Sequence, residues 1–344
     1  MLEIRPFRNY DPSKLVDIWN TAFSNGDESL VQISLDLLFE SVLGKLFFDP
    51  MGLLIAFDDN KPVGFAHAAF GPNKTGTNVE EATGVISLIL IRPSYPNAAE
   101  LARLFVKRCE EYLVARGAKV IFGGSTQANA SYYVGMYGGS EPLGVYNSEE
   151  FLINAYQEFG FTSINDTVRF RQDLCQCRPL FTPKSVVWRR KLEVKFSENF
   201  PIQTWFRACT SANFDWISAS AILENQTEPL AKLSIRITRP HKTANLAVMA
   251  PTIAALTHVE VDPMYRQSGV GTFLIGESIR HLVSENRAFM IETVAPDVSG
   301  PFAALVRRVG WKEGERGQIF IKILSERRKQ MREANETKML APKK

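Results

Sequence analysis

Cysteine is scarce, with only Cys109, Cys175, Cys177 and Cys209 among 344 residues. That usage excludes a small fold held together by disulfides. Cys175 and Cys177 form a close pair, but no second Cys pair or His pair accompanies them at zinc spacing, so no metal is expected. No apolar run reaches the ~18 residues of a membrane-spanning helix, so no transmembrane segment is expected. Residues Met1–Phe7 lack a basic segment followed by an apolar one, so no secretory leader is expected. The cytoplasm, where thiols stay reduced, is the expected compartment. One-sided charge is also missing: 40 basic and 37 acidic residues leave +3, too little to imply nucleic acid. That excess is local. From Glu326 onward there are seven Lys/Arg and three Asp/Glu, which leaves 33 basic and 34 acidic residues in the body. What remains is ordinary for a soluble globular chain of about two domains, 45% hydrophobic and 22% charged.

Hydrophobic patterning gives an order of elements. Residues 2–7 read as a strand, and Pro12–Phe23 as a helix with Asp11 as its N-cap. A second helix is expected at about Ser34–Leu46. Gly52–Phe57 and Pro62–Phe70 are strand-like and split by hairpin chemistry, Asp58-Asp59-Asn60-Lys61. Gly84–Ile91 is a continuous apolar strand. The amphipathic helix Ala98–Arg116 closes on Gly117. Lys119–Phe122 is a strand, followed by a Gly/Tyr-rich excursion to Tyr146, the helix Glu149–Phe159 and the strand Val168–Gln172. Residues 173–185 show no periodicity and read as a linker.

After it the order returns: strand Val186–Phe196, a short segment Thr204–Ala212, a hairpin of Trp216–Leu223 and Leu230–Thr238, and the central strand Ile253–Val261. Helix Ser268–Glu285, strand Ala288–Val294, helix Gly300–Val309 and strand Gln318–Ile323 complete it. Pro93 maps onto Pro263 with a shift of 170, and Gly160-Phe161 onto Gly310-Trp311 with a shift of 150. The excursion accounts for the difference. An internal duplication is the economical explanation. It divides the chain into residues 1–172, a linker 173–185, residues 186–325 and a basic tail 326–344.

The chemistry-bearing stretch is Leu256 to Leu274. A strand runs into Pro263, then Arg266-Gln267-Ser268-Gly269-Val270-Gly271 opens a helix. The first N–H groups of a helix have no internal partner and carry partial positive charge, which makes them an anion site. Glycine lets a backbone approach phosphate closely. Arg266 and the Ser268 hydroxyl add charge and hydrogen bonds. A dinucleotide fold is disfavoured, because each half has a single such strand–helix unit.

These residues resemble the GNAT family of acetyl-CoA-dependent N-acetyltransferases, whose signature at this turn is Gln/Arg-x-x-Gly-x-Gly/Ala. The resemblance implies an α+β chain of two tandem GNAT-like domains, each a mixed, mostly antiparallel sheet flanked by helices. It implies that acetyl-CoA is held by Val259, Val261, Arg266, Gln267, Ser268, Gly269, Val270, Gly271 and Thr272. In the first half, Pro96 stands for Arg266, Ala99 for Gly269 and Leu101 for Gly271, and Glu100 adds negative charge. That half is expected to have lost or weakened its acetyl-CoA site. The family's Tyr-x-x-x-Gly-Phe, whose Tyr often protonates the departing thiolate, is matched by Tyr156-Gln-Glu-Phe-Gly160-Phe161; the second half has Val306 there.

An alkyl ammonium of pKa about 10.4 needs roughly 4.6 kcal/mol to lose its proton at pH 7, so a base is sought. The family positions fall on Ala255 and Thr257, which cannot serve. His258, Glu260 and Glu292 are the candidates, Glu260 being turned toward the thioester if a bulge falls near Val259. The resemblance implies direct transfer to a primary amine in a ternary complex, with backbone N–H near Val259–Val261 polarising the carbonyl and no need for Cys209 as nucleophile. The acceptor is a small molecule or a protein amine. The rival expectation is an acyl-CoA-binding or interaction protein without turnover. The excursion Tyr132–Tyr146 is read either as lining a pocket or covering the other half, or as an aromatic-anchored surface loop.

Overall fold

The computed structural model describes residues 1–23, 32–125, 129–137, 141–175, 182–198, 204–211, 214–224, 226–238 and 252–324. Cys177 and the basic tail lie outside the described residues. The first half runs β1 (Leu2–Pro6), α1 (Pro12–Ala22), α2 (Leu35–Leu38), β2 (Leu53–Asp58), β3 (Lys61–Pro72), β4 (Val79–Ile91), α3 (Ala98–Ala115), β5 (Val120–Gly123), β6 (Val145–Tyr146), α4 (Glu150–Glu158) and β7 (Thr162–Asp173). The second runs α5 (Pro183–Val186), β8 (Leu192–Ser197), α6 (Trp205–Ser211), β9 (Asp215–Leu223), β10 (Pro229–Ile237), β11 (Ile253–Val261), α7 (Val270–Ser284), β12 (Met290–Ala295), α8 (Pro301–Arg308) and β13 (Lys312–Ile323).

Three local expectations are corrected. The helix expected at Ser34–Leu46 is one α turn that passes into a π-helix over Phe39–Leu43. The strand expected from Val186 starts at Leu192. Thr182 accepts from the Ser185 N–H and Pro183 fills the first helical position, so residues 183–190 are helical instead. Asp11 does not cap α1 with its side chain. Its carboxylate takes a bidentate pair from Arg5, at 2.7 and 3.0 Å, and a bond from Lys14. Burial raises its pKa, but these cations and the Arg8 N–H overcome that and hold it down at about 2.

Among the described residues, thirteen strands form one sheet in the order β1-β2-β3-β4-β5-β13-β7-β12-β11-β10-β9-β8, with β6 on β13. The last strand of each half is exchanged. β13 pairs antiparallel with β5, and β7 pairs antiparallel with β12. β7 and β13 join along the middle. Side chains follow the exchange. Lys322 on β13 donates to Glu110 of α3 at 2.6 Å, both buried. Phe320 stacks on Tyr156 of α4, with ring centroids 5.2 Å apart.

Each half packs a core under its long helix, α3 or α7. A third core fills the other face of the first half's sheet, and the excursion belongs to it. Tyr132, Tyr133, Met136 and Tyr137 are all at most 3% exposed. Tyr133 stacks on Trp19 and its hydroxyl bonds His67 Nδ1 at 2.9 Å. These aromatic residues are interior packing rather than a surface loop, and Glu141 reaches the second half through Arg236.

The exchange makes β13 part of the first half's core. Phe320→Ala is therefore expected to destabilise the protein by about 3–5 kcal/mol, as a large core truncation. Hydrogen exchange should show protection lost in β5 and α4 before β12. Loss first in β12 would overturn the pairing.

Candidate functional site

The site is built where β11 and β12 part. They run parallel for three pairs, Ile253–Met290, Ala254–Ile291 and Ala255–Glu292. Beyond them β11 continues to Val261 without β12 beside it, leaving a wedge. A bulge lies in β11: His258 pairs with Ser234 and Leu256 with Ile235, so Thr257 is the extra residue. It falls two positions before Val259. Its hydroxyl donates to Ser234 O at 3.1 Å, and Thr293 Oγ1 reaches Leu256 O at 2.6 Å across the wedge.

Past the bulge, Val259 and Val261 pack against the α7 core. His258 and Glu260 face outward, with side chains 61% and 66% exposed and 3.8 Å between Nε2 and Oε2. The bulge does not carry Glu260 into the interior.

The turn follows. Asp262 accepts from the Met264 N–H, and Gln267 and Gly269 take φ of 61° and 95°. Gly269 caps α7, whose first internal bond is Phe273 N to Gly269 O. That leaves the N–H groups at the head of α7 without intrahelical partners. A Cβ on Gly271 would stand 3.3 Å from Val261 and 3.4 Å from Leu305. Val270, Gly271 and Thr272 are buried. Ser268 Oγ donates to Tyr265 O at 2.5 Å, and exposed Arg266 donates through Nε to Val261 O.

The segment after the first half lies on this turn. A Cβ on Gly269 would sit 2.9 Å from Lys184 C and Ser185 N. Trp188 Nε1 donates to Ser268 O at 3.0 Å and its ring meets Tyr265 edge-on. The close backbone approach that glycine permits here is made by this chain itself.

At the apex of the wedge Glu292 is 1% exposed. Its Oε1 accepts from Arg171 Nε at 2.6 Å, while Oε2 has no hydrogen-bond partner among the described residues. Arg171 also meets Glu315 at 3.3 Å, and Arg169, 2% exposed, approaches Glu315 at 3.9 Å and donates to Tyr146 Oη at 3.4 Å. Burial raises the Glu292 pKa, and Arg169 and Arg171 pull it partly back, leaving it above the ordinary carboxylate value. The registers set Arg236, Ala255, Glu292 and Arg171 in one row across the sheet. Arg236 is buried on Glu141, at 2.7 Å, and over the Phe214 ring.

Thus Glu292 stands at the wedge, and the nine residues implied for acetyl-CoA form the adjoining turn and strand end. Arg169, Arg171, Arg236, Glu141 and Glu315 did not emerge from the sequence. The one signal was the alternation Val168-Arg-Phe-Arg-Gln in an apolar strand, which marks one charged face.

The first half repeats the wedge. β4 and β5 pair in parallel from Thr83–Val120 to Ile86–Gly123, and the bulge falls at Ser87, 170 positions before Thr257. Tyr156 is buried between Phe320 and Phe161. No group of three metal-ligating residues occurs among the described residues, and no described helix is long and apolar enough to cross a membrane.

No protein-family model matches this sequence, and no curated protein matches it. Solved structures do match. One contains a GCN5-related glucosamine N-acetyltransferase region in a fungal multi-domain beta-N-acetylglucosaminidase, at TM-score 0.64 and 16% identity, covering 94% of this chain. This chain spans 38% of that one. A tandem GNAT protein of the clavulanic acid biosynthesis pathway matches at TM-score 0.59 and 12% identity, covering 94% of this chain and 98% of that one. A GCN5-related N-acetyltransferase from Sphaerobacter thermophilus matches at TM-score 0.59 and 12% identity, covering 93% and 95%. The fold is the tandem GNAT fold, as the sequence resemblance implied.

Gly269→Ala tests the turn apart from any ligand. A Cβ at positive φ against backbone is expected to destabilise the protein by about 1–3 kcal/mol, read by urea unfolding. Unchanged stability would mean that the Lys184–Ser185 backbone does not seat on the turn.

Proposed function

We propose that this protein is an acetyl-CoA-dependent N-acetyltransferase acting on a primary amine, with its reaction site at the β11–β12 wedge of the second half. One observation carries the proposal: a buried carboxylate of raised pKa, Glu292, stands at the apex of a wedge whose free edge, β11, runs on into the glycine turn at the head of α7. Acetyl-CoA supplies an activated acetyl thioester. In this reading the N–H groups at the head of α7, with Arg266, take its phosphates. Backbone N–H groups of Val259–Val261 polarise the acetyl carbonyl. Glu292 Oε2 takes one proton of the incoming ammonium through water; the neutral amine attacks the carbonyl carbon, the C–S bond breaks with release of the thiolate, and the new amide nitrogen gives its second proton to water. Because Val306 occupies the usual tyrosine position, solvent protonates that thiolate.

Among the three candidate bases, Glu292 is taken because Glu260 and His258 are exposed and Glu292 is not. A second reading, acyl-CoA binding without turnover, is favoured by Val306 standing at the tyrosine position.

Calorimetry is expected to give one acetyl-CoA per chain, and Gly269→Asp to abolish binding. Two equal sites, or unchanged affinity in the variant, would overturn the assignment to this turn. Binding without thiol release across an amine library would select the second reading.

The pH profile tests the base. Glu292 must be ionised to act, so kcat/KM should rise with pH through a pKa above 4.5, the ordinary carboxylate value, and then level off. Glu292→Gln should lower kcat about 10²-fold and remove that limb, while His258→Gln and Glu260→Gln should change little. A large loss in Glu260→Gln alone would move the base to the outer face of β11.

A further inference from the structure

A cavity of about 520 Å³ opens where β3 runs on past its last pair with β2, His67–Leu53, at the far end of α3 from residues 93–101. That is the size of a small-molecule site. Its aromatic walls are Phe47, Phe70, Tyr112 and Tyr132. Phe47 is fixed from behind by stacking on Phe206 of α6. The tyrosine hydroxyls are spent: Tyr132 donates to Phe47 O at 2.9 Å, and Tyr112 to Asp49 Oδ2 at 2.8 Å. The rim is ionic. Arg116 donates to Asp49 at 2.8 Å and to Glu81 at 2.9 Å, so two carboxylates face one cation. Asn78 Oδ1 takes the Val79 N–H.

His67 is the lining residue left with something to bond. It is 1% exposed, and its Nδ1 lies 2.9 Å from Tyr133 Oη. Its Nε2 has no partner among the described residues and keeps accessible surface, and the ring lines the cavity. The Tyr133 hydroxyl is buried with no other acceptor among the described residues, so it donates to Nδ1 and the ring proton sits on Nε2. Burial holds the His67 pKa down at about 3, although Asp49 pulls it up, so the ring is neutral. Tyr132 lies beside it at 4.4 Å. The cavity thus offers an unspent N–H donor among aromatic walls, behind a rim that repels anions.

We infer that this cavity binds a small uncharged aromatic molecule carrying a hydrogen-bond acceptor, its ring against Phe70, Tyr112 and Tyr132 and its acceptor on the His67 Nε2–H. Aromatic walls favour a ring over an alkyl chain through edge and offset stacking. A buried donor left unpaired costs free energy that the acceptor recovers. The site lies in the other half from Glu292, and its test does not depend on the proposed acetyl transfer.

The experiment uses the full-length protein and ligands of one size: acetophenone, ethylbenzene, which lacks the acceptor, and benzoate, which carries charge. Calorimetry is expected to show saturable binding of acetophenone. Ethylbenzene should bind about 5-fold more weakly, because it leaves the Nε2–H unpaired. Benzoate should bind more weakly by about 10-fold or more, because its charge must be desolvated beside two carboxylates. In ring ¹⁵N spectra of the wild-type protein, His67 should show a protonated Nε2 whose signal moves with acetophenone. The double variant His67→Phe with Tyr133→Phe replaces both partners by apolar rings of similar shape, which keeps the fold, and it should bind acetophenone and ethylbenzene equally. Any of four results overturns the inference: no saturable binding of acetophenone, ethylbenzene or benzoate binding as tightly as acetophenone, a His67 proton on Nδ1 instead of Nε2, or an unchanged preference for acetophenone in the double variant.

Discussion

The antiparallel pair β7–β13 is the contact on which the rest of the molecule depends. Each strand is read from one half of the sequence and completes the sheet of the other. The first half thereby places Arg169 and Arg171 beside Glu292, and the second places Phe320 and Lys322 on α4 and α3. Neither half can close its core alone. The buried Lys322–Glu110 pair illustrates the cost of separation, since breaking it would leave a charge in an apolar interior.

Across this pair the two wedges share a backbone and differ in chemistry. The bulges at Ser87 and Thr257 and the parallel pairs Val85–Phe122 and Ala255–Glu292 occupy equivalent places. So do Ala69 and Arg236, each paired with the strand residue just before the bulge region. The first half lines its row with Ala69, Val85 and Phe122 and packs Tyr132, Tyr133 and Tyr137 into its third core. The second fills the same row with buried charge. The two halves share the sheet geometry, and different residues at a few inward positions make one wedge apolar and the other ionic.

The repeated element order was legible because helix and strand periodicities are local, and the bulge could be anticipated as a class of feature, though not at Thr257 itself. The exchange was not legible. β7 and β13 are each plausible partners for the strand nearest in sequence, and nothing in 162–173 or 312–323 names the distant one. The same blindness hid the charged row, since Arg236, Glu292 and Arg171 come from three separate stretches. For the excursion, covering the other half and an aromatic-anchored surface loop were equally readable, and the structure favours the first: Gly135 and Gly144 take positive φ and serve close approach to Phe214 and to the Gln318 backbone.

Gly269 shows how far a motif carries an argument. A glycine there is required twice over: φ is 95°, and the Lys184–Ser185 backbone leaves no room for a Cβ. Either requirement would keep glycine at this position without any phosphate. The part of the signature that intrachain packing does not explain is the set of N–H groups at the head of α7, together with Arg266, which is exposed and holds only the Val261 carbonyl. An ordinary turn gains little from an exposed arginine beside an unsatisfied helix terminus, whereas an anion gains from both. The cofactor assignment therefore rests on Arg266 and those N–H groups more than on the glycine that first marks the motif.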